Sequence, residues 1–230
     1  MIDVCHVSKS FGVVRALDDV CLRIEPGQRV GFVGSNGSGK TTLMRAMLGL
    51  VRVEGHVNLG GIDVARQPEL ALRAVAYIPQ VAPPIEAPVR EVVRAIAALR
   101  GVDVSAVRTR ALRLGLEVDG VGGTRFRDLS GGMRQKLLAA LALAAEAQVL
   151  VCDEPTANLD RAARGAFFEQ VTARGKTAIT VLCSHRVEEI EQLVDRVVEL
   201  DAGRIVRDGT TREVLAQLGE AETPLLRLVR

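Results

Sequence analysis

The chain has 230 residues, 48% of them hydrophobic and 25% charged, with a net charge of +2. That length suits one domain with a sizeable core, and the balanced, interspersed charge argues against a nucleic-acid-binding tail. No run approaches the ~18 apolar residues that span a bilayer, and MIDVCHVSKSF lacks the layout of a signal peptide, so a cytosolic protein is expected, with docking on a membrane protein left open.

In chain order, residues 1–33 carry short β-type runs, VCHV, VCLRI and RVGFVG, separated by turn residues such as Glu25-Pro26-Gly27. RVGFVG runs into a glycine-rich loop that opens a helix over about Lys40 to Leu50. HVNL and AVAYIP read as further strands. From about Val89 to Leu116 the spacing turns helical, with EVVRAIAAL and AVRTRALRLGL placing apolar residues three and four apart. After LSGGMRQ comes a long Ala/Leu helix, then the run VLVC, a helix over roughly 161–173, and the apolar strand TAITVLC. VVEL, RIV and TREVLAQL close the chain as strand, strand and helix. Strand–helix alternation with β-branched runs points to a parallel α/β core, and the helical middle reads as an insert. The Pro-rich APPIEAP at 82–88 reads as a hinge between the two.

Cys5, Cys21, Cys152 and Cys183 show no C-x-x-C spacing and all fall in apolar, strand-like runs. They are expected to be buried small hydrophobes in a reducing compartment.

Three segments carry chemistry. GSNGSGKTT at 34–42 fits G-x-x-x-x-G-K-[ST] between a strand and a helix. Gly34, Gly37 and Gly39 let the backbone curl so that its N–H groups cradle phosphates, with Ser35, Asn36 and Ser38 completing the loop. Lys40 brings a point charge to the β- and γ-phosphates, Thr41 a hydroxyl to Mg²⁺, and Thr42 a further phosphate contact. VLVCDEP at 149–155 is an apolar strand ending in two carboxylates, at the sheet edge where open α/β sheets bind ligands. Asp153 can hold Mg²⁺ there, and Glu154 can face an attacking water; alone, the pair reads equally as a cap for the next helix. In LSGGMRQ, Ser130 is a good N-cap, while Gly131 and Gly132 are poor helix formers. What they offer is bare N–H groups at the positive end of a helix, half of an anion site. Gln80 follows AVAYIP, His185 follows TAITVLCS, and Asp160 lies in PTANLD. A histidine at a strand end is commonly a surface or capping residue.

The phosphate loop, Gln80, LSGGMRQ, VLVCDEP, ANLD and Ser184-His185, in this order, make the chain resemble the nucleotide-binding subunits of ATP-binding-cassette (ABC) transporters over nearly its whole length. The resemblance implies an α/β, P-loop NTPase core with an N-terminal antiparallel β subdomain and an inserted α-helical subdomain. It makes 1–230 a single ABC ATPase domain, with core and β subdomain at 1–80 and 136–230 and the helical subdomain at about 81–135. It further implies ATP and Mg²⁺ as ligands, in a head-to-tail dimer with a copy of the chain or a homologous subunit. Lys40, Thr41 and the loop amides would hold the nucleotide, with Asp153 and Gln80 completing the metal and water shell. Glu154 would be the general base and His185 would contact the γ-phosphate. Ser130, Gly131 and Gly132 would reach the ATP of the partner, and Asp160 would lie at the dimer interface. Phe11 stands where the family stacks an aromatic on adenine, or else packs in the core.

The resemblance is to bacterial export or membrane-processing ATPases acting through a separate transmembrane permease on the cytoplasmic face of the inner membrane. No nucleic acid is expected. Val81, Ile85 and Val89 would line the docking surface, or simply pack the insert. The competing function is a soluble regulatory or assembly ATPase acting on a cytosolic partner.

Overall fold

The computed structural model describes residues 1–220, and these form two compact units. The first holds residues 1–75 and the chain from 175 onward; the second holds 76–174. In chain order the first unit opens with β1 (Ile2–Phe11), β2 (Val14–Ile24), β3 (Arg29–Val33), α1 (Lys40–Met47), β4 (Glu54–Leu59), β5 (Ile62–Asp63) and α2 (Pro68–Leu72). β6 (Val75–Ile78) leads into α3 (Val89–Arg100), α4 (Val104–Arg113), a 3-10 turn at Phe126–Asp128, α5 (Gly131–Ala144), β7 (Val149–Asp153) and α6 (Arg161–Thr172). The chain then returns through β8 (Ile179–Cys183), α7 (Val187–Leu193), β9 (Arg196–Asp201), β10 (Arg204–Thr210) and α8 (Thr211–Glu220).

The first unit contains two β-layers. One is antiparallel, in the order β2-β1-β4-β5. Its inward residues alternate along the strands, as a half-buried sheet requires, apart from one extra residue where the β1–β2 register shifts between Val4 and Val7: Ile2, Val4 and Val7 on β1, and Val20, Leu22 and Ile24 on β2, are all buried. In the other layer β3 lies between β8 and β9, parallel to both, and β10 pairs antiparallel with β9. Val30, Phe32, Val181, Val197 and Val198 are fully sequestered there, which suits the continuous apolar runs of these strands.

In the second unit β7 neighbours β6, and all five β7 residues are buried. α3 shows an amphipathic stripe, with Val89, Val92, Val93 and Ala97 inside. α5 is buried through Leu137 and from Ala139 to Ala144, so its all-round Ala/Leu composition belongs to a core helix. Asp103 and Asp160 cap α4 and α6 by accepting from the Ser105 and Ala163 amides.

Several expectations need correction. α1 stops at Met47 rather than Leu50, because Gly49 turns the chain and leaves Leu50 exposed. Cys152 and Cys183 are buried, but Cys5 and Cys21 are exposed. They follow Val4 and Val20 on their strands, so strand alternation puts them on the outer face. Of the three residues read as a docking surface or as packing for the insert, Val81 is 79% exposed and Ile85 half-buried, while Val89 takes the packing role, fully buried as a core residue of α3. The Pro-rich segment is pinned: the Arg127 and Phe126 amides donate to the carbonyls of Ile85 and Ala87. α2 and α7 escape sequence reading because each has fewer than eight residues, and the acidic run VEEIEQL hides the inward Ile190 and Leu193.

Candidate nucleotide site

In the first unit, β3 ends at Val33 and the chain enters the loop Gly34–Gly39 before α1 begins at Lys40. Gly34, Gly37 and Gly39 have φ of 139°, 83° and 108°, a region closed to most residues with a Cβ. At Gly34 the fit is tight as well, since a Cβ there would collide with the Leu200 carbonyl. The loop is braced from outside by the β9–β10 turn, whose Gly203 amide donates to the Ser38 carbonyl at 3.0 Å. Ser35, Asn36 and Gly37 are exposed along the rim, and Ser38 is buried. The Lys40 ammonium lies in the loop itself, donating to the carbonyls of Gly34 and Ser35 at 2.8 Å each. α1 has no side-chain cap and no acidic residue in its first turn, where Thr41 and Thr42 sit half-buried. A curled loop, an uncapped helix N-terminus and a lysine form a concentrated positive site, and this donor set fits a polyphosphate.

The same unit carries Phe11 and His185. Phe11 ends β1 with its ring 51% exposed and the Lys9 ammonium 5.0 Å from its centroid, so it is not a core residue. His185 follows β8 and is half-buried. Its loop is held by Ser184, whose hydroxyl donates to the buried Glu189 at 2.7 Å and accepts from the Arg186 amide at 3.1 Å. Glu189 has no sequence signal beyond a run of acids; its role in this loop is visible only in the structure.

The second unit carries Gln80, Ser130, Gly131, Gly132, Asp153, Glu154 and Asp160. Gln80 is exposed just beyond β6. Asp153 ends β7 at 2% exposure. Glu154, the next residue, has a φ of 49°, in the left-handed region. For a residue with a Cβ that conformation is strained by about 1–2 kcal/mol, and strain of this kind concentrates where a side chain must be aimed. The buried Cys152 thiol behind the pair is pushed up to about 12 by burial, so it is a neutral packing group.

The structure joins the signature segment to the acidic loop. Ser130 caps α5 by accepting from the Met133 amide at 3.2 Å. Gly131 and Gly132 then pass close to Asn158, and a Cβ on Gly132 would lie 2.9 Å from the Asn158 carbonyl. One turn on, Gln135, 2% exposed, donates its amide N–H to the Pro155 carbonyl at 2.8 Å. The Lys136 ammonium bonds Asp160 at 2.8 Å, which with the Ala163 amide holds that carboxyl below its usual range. Gln135 and Lys136 were legible only as parts of LSGGMRQKL; their partners, twenty and more residues away, were not.

Comparison with known proteins accords with this geometry. Residues 17–157 match the family model described as ABC transporter. The Nod factor export ATP-binding protein I of Rhizobium etli is 34% identical over 227 residues, covering 94% of this chain and 70% of that protein. The daunorubicin resistance ATP-binding protein DrrA3 of Streptomyces coeruleorubidus is 34% identical over 223 residues, covering 95% and 71%. Among solved structures, an ATP-binding subunit of an ABC transporter superposes with a TM-score of 0.84 at 26% identity, covering 100% of this chain and 98% of that one. The chain belongs to the ABC transporter family, as an ATP-binding subunit that hydrolyses ATP.

Proposed function

We propose that this subunit powers export through a separate membrane permease, pairing head to tail with itself or a homologous subunit around two ATP molecules. Export is supported by the names of its relatives, which act in Nod factor export and daunorubicin resistance. Among the described residues no helix is long and apolar enough to cross a membrane. In this reading the permease carries the path for the cargo, and the ATPase would dock on its cytoplasmic face.

The observation that carries this reading is the tie between the start of α5 and the loop after β7. A helix start with two bare glycines is an anion half-site, and it is built into the block that carries Glu154 and Asp160. In the proposed dimer, Ser130, Gly131 and Gly132 donate to the γ-phosphate of the partner's ATP. In its own site the chain holds the phosphates with Lys40, Thr42 and the amides of 34–39, and stacks the Phe11 ring on adenine. Thr41, Asp153 and Gln80 would hold Mg²⁺, which neutralises charge on the phosphates. Glu154 takes a proton from the water whose oxygen bonds the γ-phosphorus as the bond to the ADP oxygen breaks, and His185 contacts a γ-phosphate oxygen. Asp160 lies at the interface between copies.

Glu154→Gln tests the assignment. It should lower turnover by about 10²–10⁴ and yield a stable dimer with Mg-ATP by light scattering. Affinity purification of that variant from detergent-solubilised membranes should bring down a multi-span protein in stoichiometric amount. Normal hydrolysis by the variant refutes the role of Glu154; stoichiometric capture of soluble proteins alone refutes the permease.

A further inference from the structure

The outer face of the antiparallel sheet gathers metal-ligating side chains that the nucleotide chemistry does not use. Two of the chain's three histidines, His6 and His56, and both exposed thiols, Cys5 and Cys21, are exposed on these strands. The β1–β2 register shifts between Val4 and Val7, and at that irregularity His6 has a φ of 51° while Asp19 on the facing strand has 52°. The two left-handed residues turn their side chains toward each other. His6 Nδ1 is 2.8 Å from Asp19 Oδ1, and the His6 amide donates to Cys21 Sγ at 3.2 Å. The ligating atoms of His6, Asp19 and Cys21 all lie within 4.8 Å of one another.

We propose that His6, Asp19 and Cys21 form a site for a zinc-class divalent ion that cross-links β1 to β2. Imidazole nitrogen, thiolate sulfur and one carboxylate oxygen are the donors zinc selects, whereas calcium and magnesium take sets made of oxygen. In a tetrahedral site with bonds of about 2.0–2.3 Å, neighbouring donors stand about 3.3–3.6 Å apart. The His6–Asp19 pair must therefore open by about half an ångström and the sulfur close by at most about 1.3 Å. All three side chains are exposed, so no packed neighbour opposes these small movements. Water takes the fourth position. The donors come from both strands of one hairpin within the first unit, and the site stands independently of the nucleotide reading.

A neighbouring set provides the internal control. Cys5 and His56 are register partners on β1 and β4, with His56 Nδ1 3.6 Å from Asp63. Titrating the full chain with Co²⁺ should give a one-to-one complex in the micromolar range, with a thiolate-to-cobalt charge-transfer band that Zn²⁺ displaces. Cys21→Ser should abolish the band, His6→Ala and Asp19→Ala should each weaken binding by roughly ten-fold or more, and His56→Ala should leave it unchanged. In the unmodified protein, Zn²⁺ should slow alkylation of Cys21, a readout independent of how any variant folds. No charge-transfer band, a band that survives Cys21→Ser and is lost with Cys5→Ser, binding only at millimolar metal, or a Cys21 alkylation rate indifferent to Zn²⁺ would each overturn the site.

Discussion

Gln135 is a buried amide on α5 whose N–H reaches the carbonyl of Pro155, the residue after Glu154. Gln135→Leu keeps the volume and removes the donor, leaving a buried carbonyl without the partner it has now. That loss costs about 1–3 kcal/mol. At about 2–4 °C per kcal/mol for a chain of this size, the melting temperature should fall by about 2–12 °C. The functional effect should be larger than the stability loss, because the loop that holds Glu154 in its left-handed conformation loses an anchor one residue away. Misplacing a catalytic group by about 1 Å costs roughly a hundred-fold, so kcat should fall roughly ten- to hundred-fold at temperatures where the variant is fully folded. Gln135→Glu separates positioning from packing. A buried carboxyl resists ionisation, and only its protonated form can donate to Pro155. Its kcat relative to the parent chain should therefore rise as pH is lowered from about 8.5 to 6, while Gln135→Leu shows no such recovery. Steady-state ATPase assays across pH, with thermal melts on the same samples, measure both. A Gln135→Leu variant with unchanged kcat, or a Gln135→Glu variant whose relative kcat ignores pH, would refute the anchoring role.

Brief alkylation of the native protein at pH 8 should label Cys5 and Cys21 and spare Cys152 and Cys183, with peptide mapping as the check; Cys152, near 12 and fully buried, stays neutral across any practical pH. Asp160 has its carboxyl held below the ordinary 3.8 by Lys136 and the Ala163 amide, so its stabilisation is complete above that value and is lost as pH falls through the depressed one. Asp160→Asn should accordingly lower the melting temperature at pH 7 to 8, where the ionised carboxylate contributes in full, and converge on the parent chain at acid pH, flattening the acid limb of the melting curve; an unchanged acid limb would count against the pairing. Lys136→Met leaves the Asp160 cap on α6 intact but removes the tie to α5. If that tie links the two ATP sites, the Hill coefficient for ATP should drop toward 1 while the melting temperature moves by no more than about 4 °C; full cooperativity in this variant would exclude Lys136 from the link.

The elements that sequence reading located are those whose signal is local. The nine β-type runs and the long helices are written in alternation and in three-four spacing, and all of them form. The phosphate loop was legible because one backbone path requires all its residue types within nine positions. The failures have a common cause in partners distant along the chain. Burial of Cys5 and Cys21 was misjudged because an apolar run does not say which of its alternate residues face outward. Val89 was left open between docking surface and packing, and packs in the core, because a first-turn helix residue next to a Pro-rich loop looks the same whether it faces the core or solvent. Gln135, Lys136 and Glu189 escaped notice because their partners are set by packing, not by spacing.

The position of Asp160 shows what such packing adds. One of its carboxylate oxygens accepts from the Ala163 amide and fixes the start of α6; the other accepts from Lys136 on α5. Its side chain is largely exposed, so neither bond need be strong for the geometry to matter. What the pair does is divide one carboxylate between two helices, with Gln135 and the Gly132–Asn158 approach binding the same loop from the α5 side. Glu154 lies between these attachments along the chain and the strand end at Asp153. In the head-to-tail dimer we propose, the start of α5 engages one nucleotide while Glu154 serves the other. A displacement of α5 on gaining or losing a γ-phosphate is then transmitted to the loop of Glu154 through three separate contacts. Loss of any one should weaken the coupling of the two sites more than it weakens either site alone.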